Sequence, residues 1–158
     1  DPLPHNASRI HLLQDQDKIL TGEEKYPIMG ASLSNEQACE IYQRFAGLNK
    51  YWDCIDKARI VLDYLGRNKG IVVYGSTQIL CSHEDHISSY GYLYNPPFEF
   101  HAWVQLWNED IIDCSLPGVI EKGLNTFDDK GSFLIDIEPF IFAGPKDMLD
   151  WIKYTRFV

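Results

Sequence analysis

Phe98-Glu99-Phe100-His101-Ala102-Trp103-Val104-Gln105-Leu106-Trp107 alternates along its whole length. As a strand it places Phe98, Phe100, Ala102, Val104 and Leu106 on one face, and Glu99, His101, Trp103, Gln105 and Trp107 on the other. A turn near Asn108-Glu109 leads into a second short strand over Asp110 to Cys114. For His101 and Asp113 to sit directly opposite, this hairpin must be centred on Trp107. That requires an odd-numbered loop or a bulge rather than a two-residue turn. So placed, Asp113 fixes the tautomer of the imidazole and stabilises its charge.

Upstream the hydrophobic period changes from two to that of a helix. Ser34-Asn35-Glu36-Gln37 has the form of a capping box, and Ala38, Ile41, Tyr42 and Phe45 follow at helical spacing until Gly47. Asn49 to Asp53 read as a linker. A second helix is expected from Cys54 to Leu65, with Ile55, Ala58, Val61, Leu62 and Leu65 on its apolar stripe. Asp53 suits its N-cap and Gly66 its end. Cys54 therefore falls in the first turn, where unpaired N–H groups and the helix dipole favour a thiolate.

Ile71-Val72-Val73-Tyr74 reads as a buried strand, and Cys81 to Pro97 as a long loop: a surface loop or lid, whose Tyr90, Tyr92 and Tyr94 line a substrate groove or simply pack together. Within it Cys81, His83, Asp85 and His86 are zinc-type residues, but no partnering CxxC or HxxxH completes a set of four ligands, so no metal is expected. Gly131 to Asp136 and Pro139 to Ala143 read as further strands. Gly144-Pro145 should open a C-terminal helix docked by Met148, Leu149 and Ile152. Helices first and mostly antiparallel strands afterwards make an α+β domain. Residues 1–33, broken by Pro2, Pro4, Gly22, Pro27 and Gly30, read as an extended N-terminal arm that could wrap the domain or meet a protein partner. Residues 34–158 form the catalytic domain.

Composition narrows the function. Hydrophobic residues at 45% and aromatics at 13% exclude general disorder, and no apolar run approaches the ~20 residues of a membrane span. A formal charge of −9 excludes the basic stripe of a nucleic-acid binder and disfavours membrane surfaces. The four cysteines, Cys39, Cys54, Cys81 and Cys114, are widely spaced, which favours reduced thiols and a cytoplasmic setting, with secretion as an effector the alternative.

Singly, each site residue has a plainer reading: a buried cysteine, a core histidine, a hairpin carboxylate. Together, Cys54 at a helix start, His101 on a strand and Asp113 on the next supply a nucleophile, its base and the group that orients the base. The thiolate would attack an amide or ester carbonyl and form a thioester, which water or an amine then resolves. The Cys54 N–H and a second donor would hold the oxyanion. Tyr51, Trp52, Gln43 and Trp103 are the candidates for that donor or for substrate contact.

Cys54 at a helix start, the strand motif His101-Ala102-Trp103-Val104 and Asp113 in the following strand resemble the transglutaminase-like branch of papain-fold cysteine enzymes. The resemblance covers roughly residues 50 to 116. It implies a Cys-His-Asp triad, a helix bearing the cysteine packed on an antiparallel sheet, acyl-transfer chemistry without a cofactor, and a peptide or protein substrate. The short His-to-Asp spacing and the Gly70 to Gly75 strand are most similar to leader-peptide peptidases of lasso-peptide biosynthesis. A cysteine protease or amidase is therefore expected. The alternatives are a non-catalytic binding module on the same fold, and an effector that deamidates or cleaves a protein.

Overall fold

The strand that begins at His101 lies inside the sheet, and the other elements are arranged around it. A computed structural model describes residues 28–83, 86–92, 94–97, 99–124, 139–149 and 152–157. Among them are the helices α1 (Asn35–Gln43), α2 (Cys54–Leu65) and α3 (Leu116–Leu124). The strands are β1 (Ile28–Met29), β2 (Gly70–His83), β3 (His86–Tyr92), β4 (His101–Leu106), β5 (Ile111–Asp113), β6 (Ile141–Gly144) and β7 (Ile152–Arg156). The sheet runs β1-β6-β5-β4-β2-β3, with β7 also paired to β2. Only β1 and β6 are parallel; the other pairs are antiparallel. The fold is α+β.

The two helices expected upstream of the sheet form where their signals lie. Ser34 Oγ accepts the Gln37 N–H at 3.1 Å, and Gln37 Oε1 accepts the Ser34 N–H at 2.9 Å, which completes the capping box of α1. Ala38, Ile41 and Phe45 are buried. α2 ends at Gly66, whose φ of +116° is open to glycine. Two details of α2 differ from expectation. Lys57 is buried beside Ala58 and Val61. Asp53 occupies the cap position in a left-handed conformation (φ +63°), and its carboxylate accepts the Asn49 N–H at 2.8 Å instead of capping the helix.

The hairpin loop is odd-numbered, but its centre is Asn108 rather than Trp107. Val104 pairs with Ile112 and Gln105 with Ile111. The Leu106 N–H donates to the Asp110 carbonyl at 2.9 Å, which leaves the three residues 107–109 as the loop. Glu109 closes it at φ +75°, the left-handed residue that three-residue hairpin loops use. This register sets Asp113 across from Trp103, so His101 and Asp113 are diagonal rather than directly opposite. Moving the centre by one residue changes each pairing by two positions, and a shift of two preserves the face.

The stretch expected as a loop from Cys81 to Pro97 is largely strand. β2 continues to His83 and returns as β3, with Thr77 paired to Tyr92 and His83 to His86. A two-residue connection between runs containing Thr77, Ile79, Ile87 and Tyr90 favours a hairpin over an open lid. The expected C-terminal helix is also corrected. After Pro145 the chain makes a turn, with the Met148 N–H bonded to the Pro145 carbonyl at 3.0 Å, and proceeds into β7. Ile152 and Tyr154 are buried while Lys153 and Thr155 are exposed, a period of two that only a strand satisfies. Leu149 and Ile152 do enter the core, whereas Met148 is exposed. Gly131 to Asp136 lie outside the described residues.

The expected arm ends earlier than Leu33. β1 pairs with β6, and Met29 and Leu33 are buried, so residues 28–33 belong to the fold; residues 1–27 lie outside the described residues. The sheet separates two cores. Ala38, Ile41, Ala58 and Val61 of α1 and α2 pack on Val104, Ile112 and Ile141. Trp103, Ile111, Phe142, Ile152 and Tyr154 pack on the other face with Leu116, Val119 and Ile120 of α3, a helix without a counterpart in the sequence reading. No helix among the described residues is long and apolar enough to cross a membrane.

Candidate active site

β4 begins at His101 and β5 ends at Asp113, so the curled sheet brings both to the same end and face. His101 Nε2 lies 2.8 Å from Asp113 Oδ2, and each residue is only 1% exposed. Two further donors hold the carboxylate. The Tyr154 hydroxyl donates to Oδ2 at 2.7 Å, and the Ser115 N–H donates to Oδ1 at 2.9 Å. A buried carboxylate requires this number of partners, because each lone pair left unmet costs free energy.

Nε2 faces Asp113, and the Cys54 side chain is close enough to act on the same imidazole. Burial pulls the histidine pKa down. The Asp113 charge, its hydrogen bond and the contact with Cys54 outweigh burial and raise the ring to about 9. The same acid acts on its other neighbours. Burial first, then Asp113, pushes Tyr154 well above the ordinary phenol range. Burial and then Asp113 likewise raise the Cys114 thiol, which makes it an inert core residue. Cys54 is half-buried and reaches solvent, unlike Cys114.

The loop before α2 is fixed from both sides. Asn49 Oδ1 accepts the N–H groups of Tyr51 at 2.9 Å and Trp52 at 3.3 Å. Ser115 Oγ donates to the Trp52 carbonyl at 3.4 Å, which joins the end of β5 to the residues preceding Cys54. Gly118 of α3 packs so closely that a Cβ there would lie 2.1 Å from the Tyr51 carbonyl oxygen. Because the Asp53 side chain turns back to Asn49, no carboxylate from the cap position occupies the N–H groups of the first turn.

The four candidate contact residues occupy three settings. Tyr51 and Trp52 flank the cysteine, with Trp52 37% exposed. Gln43 lies at the exposed end of α1 and lines a cavity of about 330 Å³ with Tyr42, Phe45, Leu48 and Lys57. Trp103 is buried behind the site, its ring centroid 5.8 Å from that of His101 and 5.1 Å from that of Tyr154. It walls the histidine rather than facing a substrate, and its Nε1 has no hydrogen-bond partner among the described residues. No group of three or more metal-ligating side chains occurs among the described residues; the side chains of Cys81, His83 and His86 lie outside them.

Tyr154, the Ser115 N–H and Lys57 belong to this site but were not among the expected residues. The alternation of Ile152 and Tyr154 offered a strand, but nothing local ties residue 154 to residue 113. Comparison with family models, curated proteins and solved structures finds no match to this chain.

Proposed function

We propose that this protein is a cysteine-dependent amide hydrolase or acyltransferase, with Cys54 as nucleophile, His101 as base and then acid, and Asp113 as the orienting group. The observation that carries this reading is the buried His101–Asp113 contact of 2.8 Å, with the Cys54 side chain acting on the same imidazole. A cysteine at a helix start, packed against a mostly antiparallel sheet, further supports a papain-like arrangement in its transglutaminase-like form.

In this mechanism the Cys54 proton already rests on His101, whose raised pKa keeps the ring protonated, and the sulfur attacks the carbonyl carbon of a peptide or protein amide. The carbonyl π bond opens onto oxygen, and the Cys54 N–H in the uncapped first turn donates to the oxyanion. When the oxyanion collapses, the carbon–nitrogen bond breaks and the His101 proton goes to the departing amine. The resulting thioester is resolved by water, which yields an acid, or by an amine, which yields a new amide. In either case His101 takes the proton of the incoming group and keeps it as the sulfur leaves. Asp113 stays ionised throughout and holds the ring.

Labelling with iodoacetamide at neutral pH, with sites mapped by mass spectrometry, tests the assignment. Cys54 should alkylate at least about tenfold faster than Cys39 and Cys114. His101→Ala should remove that advantage while the protein stays folded. Equal rates at the thiols of the folded chain, or an advantage unchanged by His101→Ala, would remove the basis for the triad.

A further inference from the structure

Lys57 is the charged side chain least explained by packing alone. It sits one helical turn after Cys54, so the two share a face of α2. It is 1% exposed, on a helix stripe where an apolar residue would pack without cost. Its Nζ donates to the Lys50 carbonyl at 2.8 Å and lies 5.7 Å from the centroid of the Phe45 ring. An ammonium has three donors, of which the carbonyl satisfies one, and the charges of Asp53 and Asp113 act on it without touching it.

Among the described residues no carboxylate lies within ion-pair distance of that nitrogen. The nearby acids are engaged elsewhere: Asp53 by the Asn49 N–H, and Asp113 by His101, Tyr154 and Ser115. Lys57 and Lys50 both line the 330 Å³ cavity, whose other walls include Tyr42, Phe45 and Leu48. An aromatic and aliphatic wall with one buried cation selects an apolar stem ending in an anion. A carboxylate fits this arrangement, because it accepts the ammonium's remaining hydrogens and supplies a counter-charge in direct contact.

We propose that this cavity receives a carboxylate carried by the acyl donor, with Lys57 as its counter-ion. This rests on the reading of Cys54 as the nucleophile, and makes the enzyme selective for acidic substrates, through either an acidic side chain or a free chain end. It also means that an acidic protein overall, with a charge of −9, holds a local cation at its substrate site.

The test uses the full chain carrying Cys54→Ala, so binding is read without turnover. N-acetylglutamic acid α-amide, N-acetylglycine and the neutral N-acetylglutamine amide are titrated while backbone amide shifts are followed. One of the two acids should bind at least about tenfold more tightly than the neutral probe, with shifts concentrated at Phe45 to Lys50 and Lys57. The acid that binds identifies the source of the carboxylate. Lys57→Met should abolish the preference, and Lys57→Arg should retain part of it. Equal binding of the neutral probe, a preference that survives Lys57→Met, or no saturable shifts around the cavity overturns the proposal. If Lys57→Met does not fold, the acid-against-amide comparison in the Lys57 protein still decides. Since alkylation of Cys54 plays no part in this readout, failure of the nucleophile assignment and failure of the carboxylate pocket are separate results.

Discussion

Asp113 is the residue on which the site converges, because three donors from three parts of the chain end on its two oxygens. Its influence on His101 has a consequence for stability. The ring ordinarily titrates near 6.5 and is raised to about 9 in the folded chain. Between those values the folded protein holds a proton that the unfolded chain releases, so folding is favoured less as pH climbs. The contribution is complete below about 6.5 and is lost as pH passes through about 9. Denaturant melts at about pH 6 and about pH 9.5 should therefore show a larger loss in the wild type than in His101→Gln. Identical losses would contradict a raised histidine. At this scale the sequence was informative for His101 and Asp113, since face parity follows from spacing alone. It was silent on Lys57 and Tyr154, whose roles depend on burial and on partners 7 and 41 residues away.

Among the elements, α3 has the most specific demand. Helix propensity favours alanine over glycine by up to about 1 kcal/mol, so Gly118→Ala would stabilise an isolated helix. Here the added methyl would meet the Tyr51 carbonyl at 2.1 Å. The expected result is the opposite sign: a loss of about 1–3 kcal/mol in chemical denaturation, together with slower Cys54 alkylation as residues 51–53 are displaced. A stabilised variant with unchanged labelling would show that the contact yields without cost. The helices that the sequence specified well, α1 and α2, carry their own signals, a capping box and a terminal glycine. β7 was misread because Gly144-Pro145 is a good helix opening, and five residues of alternation are a weak counter-signal. The hairpin β2–β3 was misread as a loop because its serines and glycine resemble turn chemistry when pairing across the sheet is not visible.

In the whole molecule, β2 is the hub. Its fourteen residues pair with β4 along the first half and with β3 along the second, while β7 adds to the opposite side from Gly75 to Ile79. Gly75 allows this crowding, since a Cβ there would sit 2.1 Å from the Thr155 carbonyl oxygen. A chain ending before Ile152 loses both a central pairing and two buried residues of the second core, Ile152 and Tyr154. Such a truncation should abolish cooperative thermal unfolding measured by circular dichroism, and should expose Trp103 to quencher. Retention of a sharp transition would mean that β7 is an accessory strand.

The bond from Tyr154 to Asp113 also bears on when the site is completed during synthesis. Cys54, His101 and Asp113 leave the ribosome well before residue 154, since synthesis runs in chain order at about 5–20 residues per second. Until β7 reaches β2, the Asp113 carboxylate lacks one of its three donors, and the second core lacks Ile152 and Tyr154. Cys54 and His101 are thus present in the nascent chain for a period of seconds before their surroundings are closed. The order of emergence delays full assembly of the proposed site until the rest of the sheet is ready to enclose it.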